Sequence, residues 1–322
     1  MHALAQQGIS PFGVYVTSPD YLGGVQDIPA LAAVCRAQGV PLLVDNAHGA
    51  YLRFLPQDCH PIAQGAAMCC DSAHKTLPVV TGGAYLHLGH NAPVLNEAAV
   101  RGALALFGST SPSYLILQSL DACNAVLAGD YPRRLAQCCA ALEGVHNSLN
   151  KAAAARQCPL PLAVAGAQQE PMKLTLDAAA LGCTGTALAE ALRRAQMECE
   201  YADPRYVVLM FTPENPPQDF ERLQTALEQL LAAVPAGLPR PENRAGEFAA
   251  LQQQAVQRCT IRQAVLGAQV RIPVHKALGR VCAMPTVSCP PAIPVAVSGE
   301  EITTAAIALM QRYGIEELSV LR

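Results

Sequence analysis

Asp45, which closes one apolar run, and Lys75, which follows the next, carry the chemistry legible in this chain; Thr17 closes the run before them. Lys75 lies in "DSAHKTLP" (71 to 78), beside Ser72, His74 and Thr76, directly after a run of small and apolar residues. An ordinary lysine is a solvated surface charge. One that follows a buried strand and shares a crevice with an acid 30 residues upstream suits a different task, a Schiff base with pyridoxal phosphate. That chemistry also needs an acid for the pyridinium nitrogen and donors for the phosphate. Asp45 supplies the acid: a unit charge pair ~4 Å apart at an effective dielectric near 20 gains about 4 kcal/mol, roughly three pKa units. Ser72 and His74 share the turn of Lys75 and offer a hydroxyl and an imidazole to phosphate oxygens. Ala47 is small enough to let a ring lie against the backbone.

The elements that position these groups alternate in type. "FGVYVTSP" (12 to 19) reads as a buried strand, and "DIPALAAVCRAQG" (27 to 39) as a helix with Asp27 as N-cap and Gly39 past its end. "PLLVD" (41 to 45), "AAMCCDS" (66 to 72) and "GGAYLHLG" (82 to 89) follow as strands. Thr17 and Asp45 are 28 residues apart, about one βαβ unit, so at least the first two strands run parallel. Open parallel sheets bind ligands outside the carboxyl ends of their strands, and "TSPDY", "DNAHG" and "DSAHK" would face one crevice there.

Further on, "SPSYLILQSLDACNAVLAG" (111 to 129) predicts a helix with a Ser cap and Pro112 at its first position. A second long helix, about 131 to 155, comes next. "PMKLTLD", "TGTALAEALRRAQ", "RYVVLMFT" and "PQDFERLQTALEQLLAAV" then read as strand, helix, strand, helix of a smaller α/β domain. The Pro- and Gly-rich stretch 235 to 247 is a linker signal. Beyond it a third unit carries the run "SCPPAIPVAVSGEE" and a last helix. The expected divisions are 1–130, 131–238 and 239–322.

Composition limits the partners. Apolar residues make up 51% of the 322, charged residues 15%, and the formal charge is −3. A disordered chain, a nucleic-acid binder and a polybasic membrane binder are all poor fits, and no apolar run approaches the ~20 residues of a membrane span. A small-molecule substrate is expected. The 13 cysteines are odd in number and include the adjacent pairs Cys69-Cys70 and Cys138-Cys139, which fits a reducing cytoplasm better than a disulfide scaffold. There is no Cys-x-x-Cys. The metal-like groupings Asp58-Cys59-His60 and His87-x-x-His90 read as ordinary loop and strand-end residues, so no metal is expected.

"VDNAHGAYLRF", "DSAHKTLP", "TGGAYLHLG" and "STSPSYLILQSLD", in this order and spacing, closely resemble the group III ornithine/lysine/arginine decarboxylases, aspartate-aminotransferase-like enzymes of fold type I. Family members read like "VDEAHGAH", "STHKTLPALTQGA" and "TSPSY" at these places. "TSPDYLGGVQDI" and "GR…PPAIPV…GEEI" extend the likeness over nearly the whole chain. The resemblance implies an α/β PLP-binding large domain, a smaller α/β domain and a C-terminal decarboxylase domain, assembled as a homodimer or higher homo-oligomer. It implies that Lys75 and His48 are catalytic, Lys75 as the Schiff-base lysine, and that Asp45 partners the ring nitrogen. Ser72 and His74 would hold the phosphate, Ala47 and His48 would line the cofactor, and Ser18 and Tyr21 would lie near ring or substrate. Thr110 and Ser111 would reach the phosphate of a neighbouring subunit; read from the residues alone, they are equally a plain helix cap. The implied reaction is loss of the α-carboxylate of arginine, lysine or ornithine as carbon dioxide, giving a polyamine-type amine.

The chain departs from that pattern. Family members carry a long segment ahead of the point where this chain starts, with a Gly-Ser/Thr phosphate loop at a helix N-terminus and a ring-stacking histidine, so Met1 is expected to fall inside the large domain. Asn46 stands where Glu is usual, Met284 where Glu is typical and Cys289 where Tyr is typical. Two readings stay open: a decarboxylase, or a non-catalytic relative that at most binds cofactor or partner subunits. An aminotransferase-like reaction on the same scaffold is a third, because the fold and the lysine do not fix which bond breaks.

Overall fold

In a computed structural model, the described residues are 4, 6–90, 96–109, 111–163, 169–235, 251, 253–288 and 293–322. The chain divides into two compact units: residues 1–152, 162–175 and 209–229 form the first, and residues 153–161, 176–208 and 230–322 the second.

The first unit is organised on a four-stranded sheet of order β1 (Val14–Thr17), β2 (Leu42–Asp45), β3 (Met68–Asp71), β4 (Tyr85–Leu88). The first three strands are parallel and β4 returns antiparallel. Helix α1 (Ile28–Ala37) makes the crossover. Its start is fixed by Asp27, whose carboxylate accepts the Ala30 N–H at 3.0 Å, and by Pro29 in its first turn. It ends at Gly39, whose φ of 65° few other residues adopt at low cost. Ile28, Ala32 and Cys35 recur on one face and pack with Leu42 and Val44 of the sheet. Each fully buried large aliphatic side chain there contributes about 1.5–3 kcal/mol relative to exposure. The register pairs Thr17 with Asp45 and Asp45 with Cys70, so the polar ends of three neighbouring parallel strands lie at one edge. The short helix α2 (Ala73–Thr76) follows β3 at once and carries Lys75.

Helix α3 (Glu97–Phe107) has no counterpart among the expected elements. Its signal is Asn96, which accepts the Ala99 N–H at 2.7 Å. Helix α4 (Tyr114–Ala128) begins later than expected, with Ser113 as its N-cap residue; at φ −73°, ψ 119° the backbone is still extended there. Pro112 therefore precedes the cap instead of opening the helix. Helix α5 (Tyr131–Arg156) matches the long helix expected from about 131 to 155. The strand–helix–strand–helix run is present as β5 (Lys173–Asp177), α6 (Gly185–Arg194), β7 (Tyr206–Met210) and α7 (Pro217–Ala233), with the two-residue β6 (Tyr201–Ala202) inserted.

Most of the expected linker lies outside the described residues. Past it, α8 (Ile261–Leu266) opens with a reciprocal capping box between Thr260 and Gln263. It is followed by β8 (Gln269–Pro273), β9 (Thr286–Ser288), β10 (Ile293–Ala296), α9 (Thr304–Arg312) and β11 (Glu317–Leu321). The expected last helix is α9, but the final element is β11, which pairs antiparallel with β8 along all five residues. Val274, Cys282, Ile302, Met310 and Val320 form the core of this part of the second unit. Among the described residues no helix is long and apolar enough to cross a membrane.

Candidate active site

Asp45 closes β2 half-buried, with Oδ2 accepting the Tyr15 hydroxyl at 3.1 Å and Oδ1 accepting the Ala47 N–H at 3.1 Å. The second contact is a local turn that fixes Ala47 directly beyond the acid. Among the described residues no cation pairs with Asp45, and no carboxylate pairs with Lys75. Lys75 is exposed, and its Nζ lies 3.2 Å from His48 Nε2. A free acid and a free amine at the ends of adjacent parallel strands would be wasteful as a structural pair. They fit a ligand that needs both.

His48 is 6% exposed. Burial, then the positive charges of Lys173 and Lys75, lower its pKa from 6.5 to about 3. A neutral imidazole accepts from the Lys75 ammonium through Nε2, which puts its proton on Nδ1, a buried atom with no hydrogen-bond partner among the described residues. The sign of the linkage follows. As pH falls from 6.5 toward 3 the unfolded chain takes up this proton and the folded one does not, so stability is lost across that window. In His48→Gln the slope of stability against pH in this range is expected to shrink by about 1.4 kcal/mol per pH unit, one proton's worth, read from urea unfolding at successive pH values.

The other expected positions are distributed as follows. Ser18 is buried, accepts the Gln26 N–H on Oγ at 3.1 Å, and donates its own N–H to the Asp45 carbonyl. Tyr21 packs edge-on against His48, with ring centroids 5.2 Å apart. Ser72 precedes α2 without capping it through its side chain. His74 donates Nδ1–H to the Gly83 carbonyl at 2.9 Å; its Nε2 can donate to an anion only when the ring is a cation. Ser111 is exposed, with its N–H on Ser109 Oγ at 3.1 Å. Thr110 and Cys289 lie outside the described residues, and Met284 is exposed.

Two residues unmarked by sequence reasoning, Lys173 and Glu170, support this crevice. Lys173, at the start of β5, places Nζ 3.6 Å from Glu170 Oε1, 3.2 Å from the Asp20 carbonyl and 5.6 Å from the centroid of the Tyr21 ring. Glu170 also accepts from the Tyr51 hydroxyl and from the Met172 N–H. Lys173 and Glu170 are each 1% exposed. Burial raises the Glu170 pKa and lowers that of Lys173, each opposed by its partner. The available signal was a lysine at the first position of a short strand, KLTLD, flanked by the apolar Met172 and Leu174.

Asn46 is fully buried and donates Nδ2–H to Asp71 Oδ1 at 2.7 Å. Burial pushes the Asp71 carboxyl up, but hydrogen bonds from His60, His87 and Asn46 outweigh it and hold the group below its ordinary value. The departure at position 46 thus has a partner, since an acid in place of Asn46 would face a second carboxylate. Gly49 is part of the same fit, as a Cβ there would stand 2.0 Å from Asn46 Oδ1. Asn46→Asp is expected to cost about 1–3 kcal/mol at pH 7. Part of that loss should return at acid pH, when one of the two carboxyls takes a proton; denaturant unfolding at both pH values checks it.

The major-domain family model of the Orn/Lys/Arg decarboxylases matches residues 2–163, just over half of the chain. The uncharacterized protein YaaO of Bacillus subtilis is 29% identical over 310 residues, which is 93% of this chain and 61% of that protein. The arginine decarboxylase of the same organism is 26% identical over 302 residues, 92% and 60% of the two chains. The chain therefore spans about three fifths of the length of these relatives. Among solved structures, the lysine decarboxylase LdcF of Francisella novicida superposes with a TM-score of 0.71 at 17% identity, covering 97% of this chain and 57% of that one. That likeness gives the fold, the fold type I architecture of pyridoxal-phosphate enzymes. Pyridoxal phosphate is the cofactor of the family. By the matched major domain and the strand-end acid and lysine, the chain belongs to the Orn/Lys/Arg decarboxylase family.

Proposed function

We propose that the chain acts as a pyridoxal-phosphate-dependent decarboxylase on a basic amino acid, arginine, lysine or ornithine. The observation that carries this reading is an Asp45 carboxylate and a Lys75 amine that have no counter-ion among the described residues, at the ends of adjoining parallel strands, with a neutral His48 on the amine. When bound, the cofactor supplies an electron sink for the pair released as the carboxylate leaves. Asp45, half-buried at the end of β2, would keep the ring nitrogen protonated. Lys75 Nζ would hold the cofactor, and His48 Nε2, a neutral acceptor 3.2 Å away, orients that amine. Tyr21 and the buried Lys173 beneath it fix the His48 ring, so its Nε2 stays aimed at Lys75. Ala47, Ser72 and His74 line the cofactor, and Ser18 stiffens the turn beside Asp45. Thr110 and Ser111 serve a second copy in a homo-oligomer.

A second reading, a cofactor-binding chain without turnover, is favoured by Asn46, whose amide is committed to Asp71 and offers no acid to the crevice. Release of carbon dioxide from carboxyl-labelled arginine, lysine and ornithine, by the chain loaded with pyridoxal phosphate, separates the two. Release from one of the three is expected; a stable visible cofactor band with no release from any overturns decarboxylation in favour of the second reading.

A further inference from the structure

Two histidines that play no part in the crevice converge on one oxygen. His60 Nε2 lies 3.1 Å and His87 Nε2 2.9 Å from Asp71 Oδ2, and the three candidate ligand atoms all fall within 4.8 Å of one another. His60 and Asp71 are buried, while the half-exposed His87 opens onto a cavity of about 690 Å³ that Asp58 and His90 also line. We propose that His60, Asp71 and His87 form a binding site for a divalent transition-metal ion of the zinc class.

The geometry is close to what such an ion requires. Ligands at about 2.0 Å in a tetrahedron stand about 3.3 Å apart, and two of the three edges here are within a few tenths of that; turning the two imidazoles closes the third. Two nitrogens and one carboxylate oxygen suit zinc or cobalt, whereas calcium and magnesium favour all-oxygen shells. The outer oxygen of the acid is already held: Asp71 Oδ1 accepts from Asn46 Nδ2 at 2.7 Å and from the Cys69 thiol at 3.4 Å. Ligand carboxylates are oriented in this way by their outer partners. The fourth position faces the cavity, where a water or a small oxygen ligand completes the shell. One contact opposes capture. The Ile62 N–H points at His60 Nδ1 at 3.3 Å, so ligation through Nε2 moves the His60 proton to Nδ1 and gives up that long hydrogen bond.

None of the three ligands is assigned to the cofactor, so the site stands or falls independently of the decarboxylase reading. The full chain, stripped with chelator, would be titrated with Co²⁺ followed by its visible ligand-field bands, and then with Zn²⁺ as competitor. One equivalent is expected, with tetrahedral-type absorption, no thiolate charge-transfer band, and displacement by zinc. His87→Gln, at a half-exposed position that leaves far-UV circular dichroism unchanged, should weaken binding at least tenfold; Asp71→Asn should do so more strongly. No stoichiometric binding, binding dominated by thiolate absorption, or binding untouched by His87→Gln overturns the proposal.

Discussion

In Lys75→Ala, mixed with pyridoxal phosphate, the visible absorption band of covalently held cofactor is expected to be absent, and borohydride reduction should leave no labelled peptide spanning residue 75. The loss should be complete, because among the described residues no other amine in the crevice is free. Lys173 is the nearest alternative, and it is buried against Glu170 and the Asp20 carbonyl. The substitution itself should hardly touch the fold. Lys75 is exposed and, among the described residues, its side-chain hydrogen bond is the one to His48, so a stability change within about 0.5 kcal/mol is expected, as for other surface positions. A band that persists in the variant, with label on another lysine, would remove Lys75 from the role given to it here.

The second large effect is structural. Lys173→Met should destabilise the chain by about 3–5 kcal/mol, because it leaves Glu170 as a buried charge without its cation. The Tyr51 hydroxyl and Met172 N–H still reach that carboxylate, which keeps the expected cost inside this range. Lys173→Met combined with Glu170→Gln should recover most of the loss, since the amide can keep the hydrogen bonds with no charge to bury. Urea unfolding of the two variants beside the parent chain decides it. A single variant that costs less than about 1 kcal/mol would mean the pair is not buried and ionised together. The same substitution removes one of the charges that depress His48, so the His48 pKa should rise in Lys173→Met.

Local rules reached far into the first unit. Asp27 as a helix cap and Gly39 beyond the helix end are set by side-chain and backbone chemistry within a few residues, and both occur as read. The same is true of the strands at 14–17, 42–45, 68–71 and 85–88. Helix starts were less legible. Either Ser111 or Ser113 could precede α4, and pattern alone does not say which serine is the last extended residue. At the far end, Glu317–Leu321 became a strand because β8 offers five partners roughly fifty residues earlier, a pairing no local pattern encodes.

The candidate site divides along the same line. The placement of Asp45 and Lys75 at neighbouring strand ends was legible because parallel strands end on the same side, so the interval between two strand ends is itself information. The neutrality of His48 could not, since it depends on burial and on Lys173, 125 positions away along the chain. Sequence neighbours group His60 with Asp58 and His87 with His90, which read as ordinary loop and strand-end residues. The antiparallel register of β3 and β4, with Cys69 opposite His87, instead brings His60 and His87 together on Asp71. The order of residues thus determined which groups stand at the strand ends and how the nearest turns are capped, because those depend on contacts within a few positions. Folding in three dimensions decided which charges are buried, which imidazoles share an acid and which amine is left free, because desolvation and cross-strand distance do not exist until the sheet has formed.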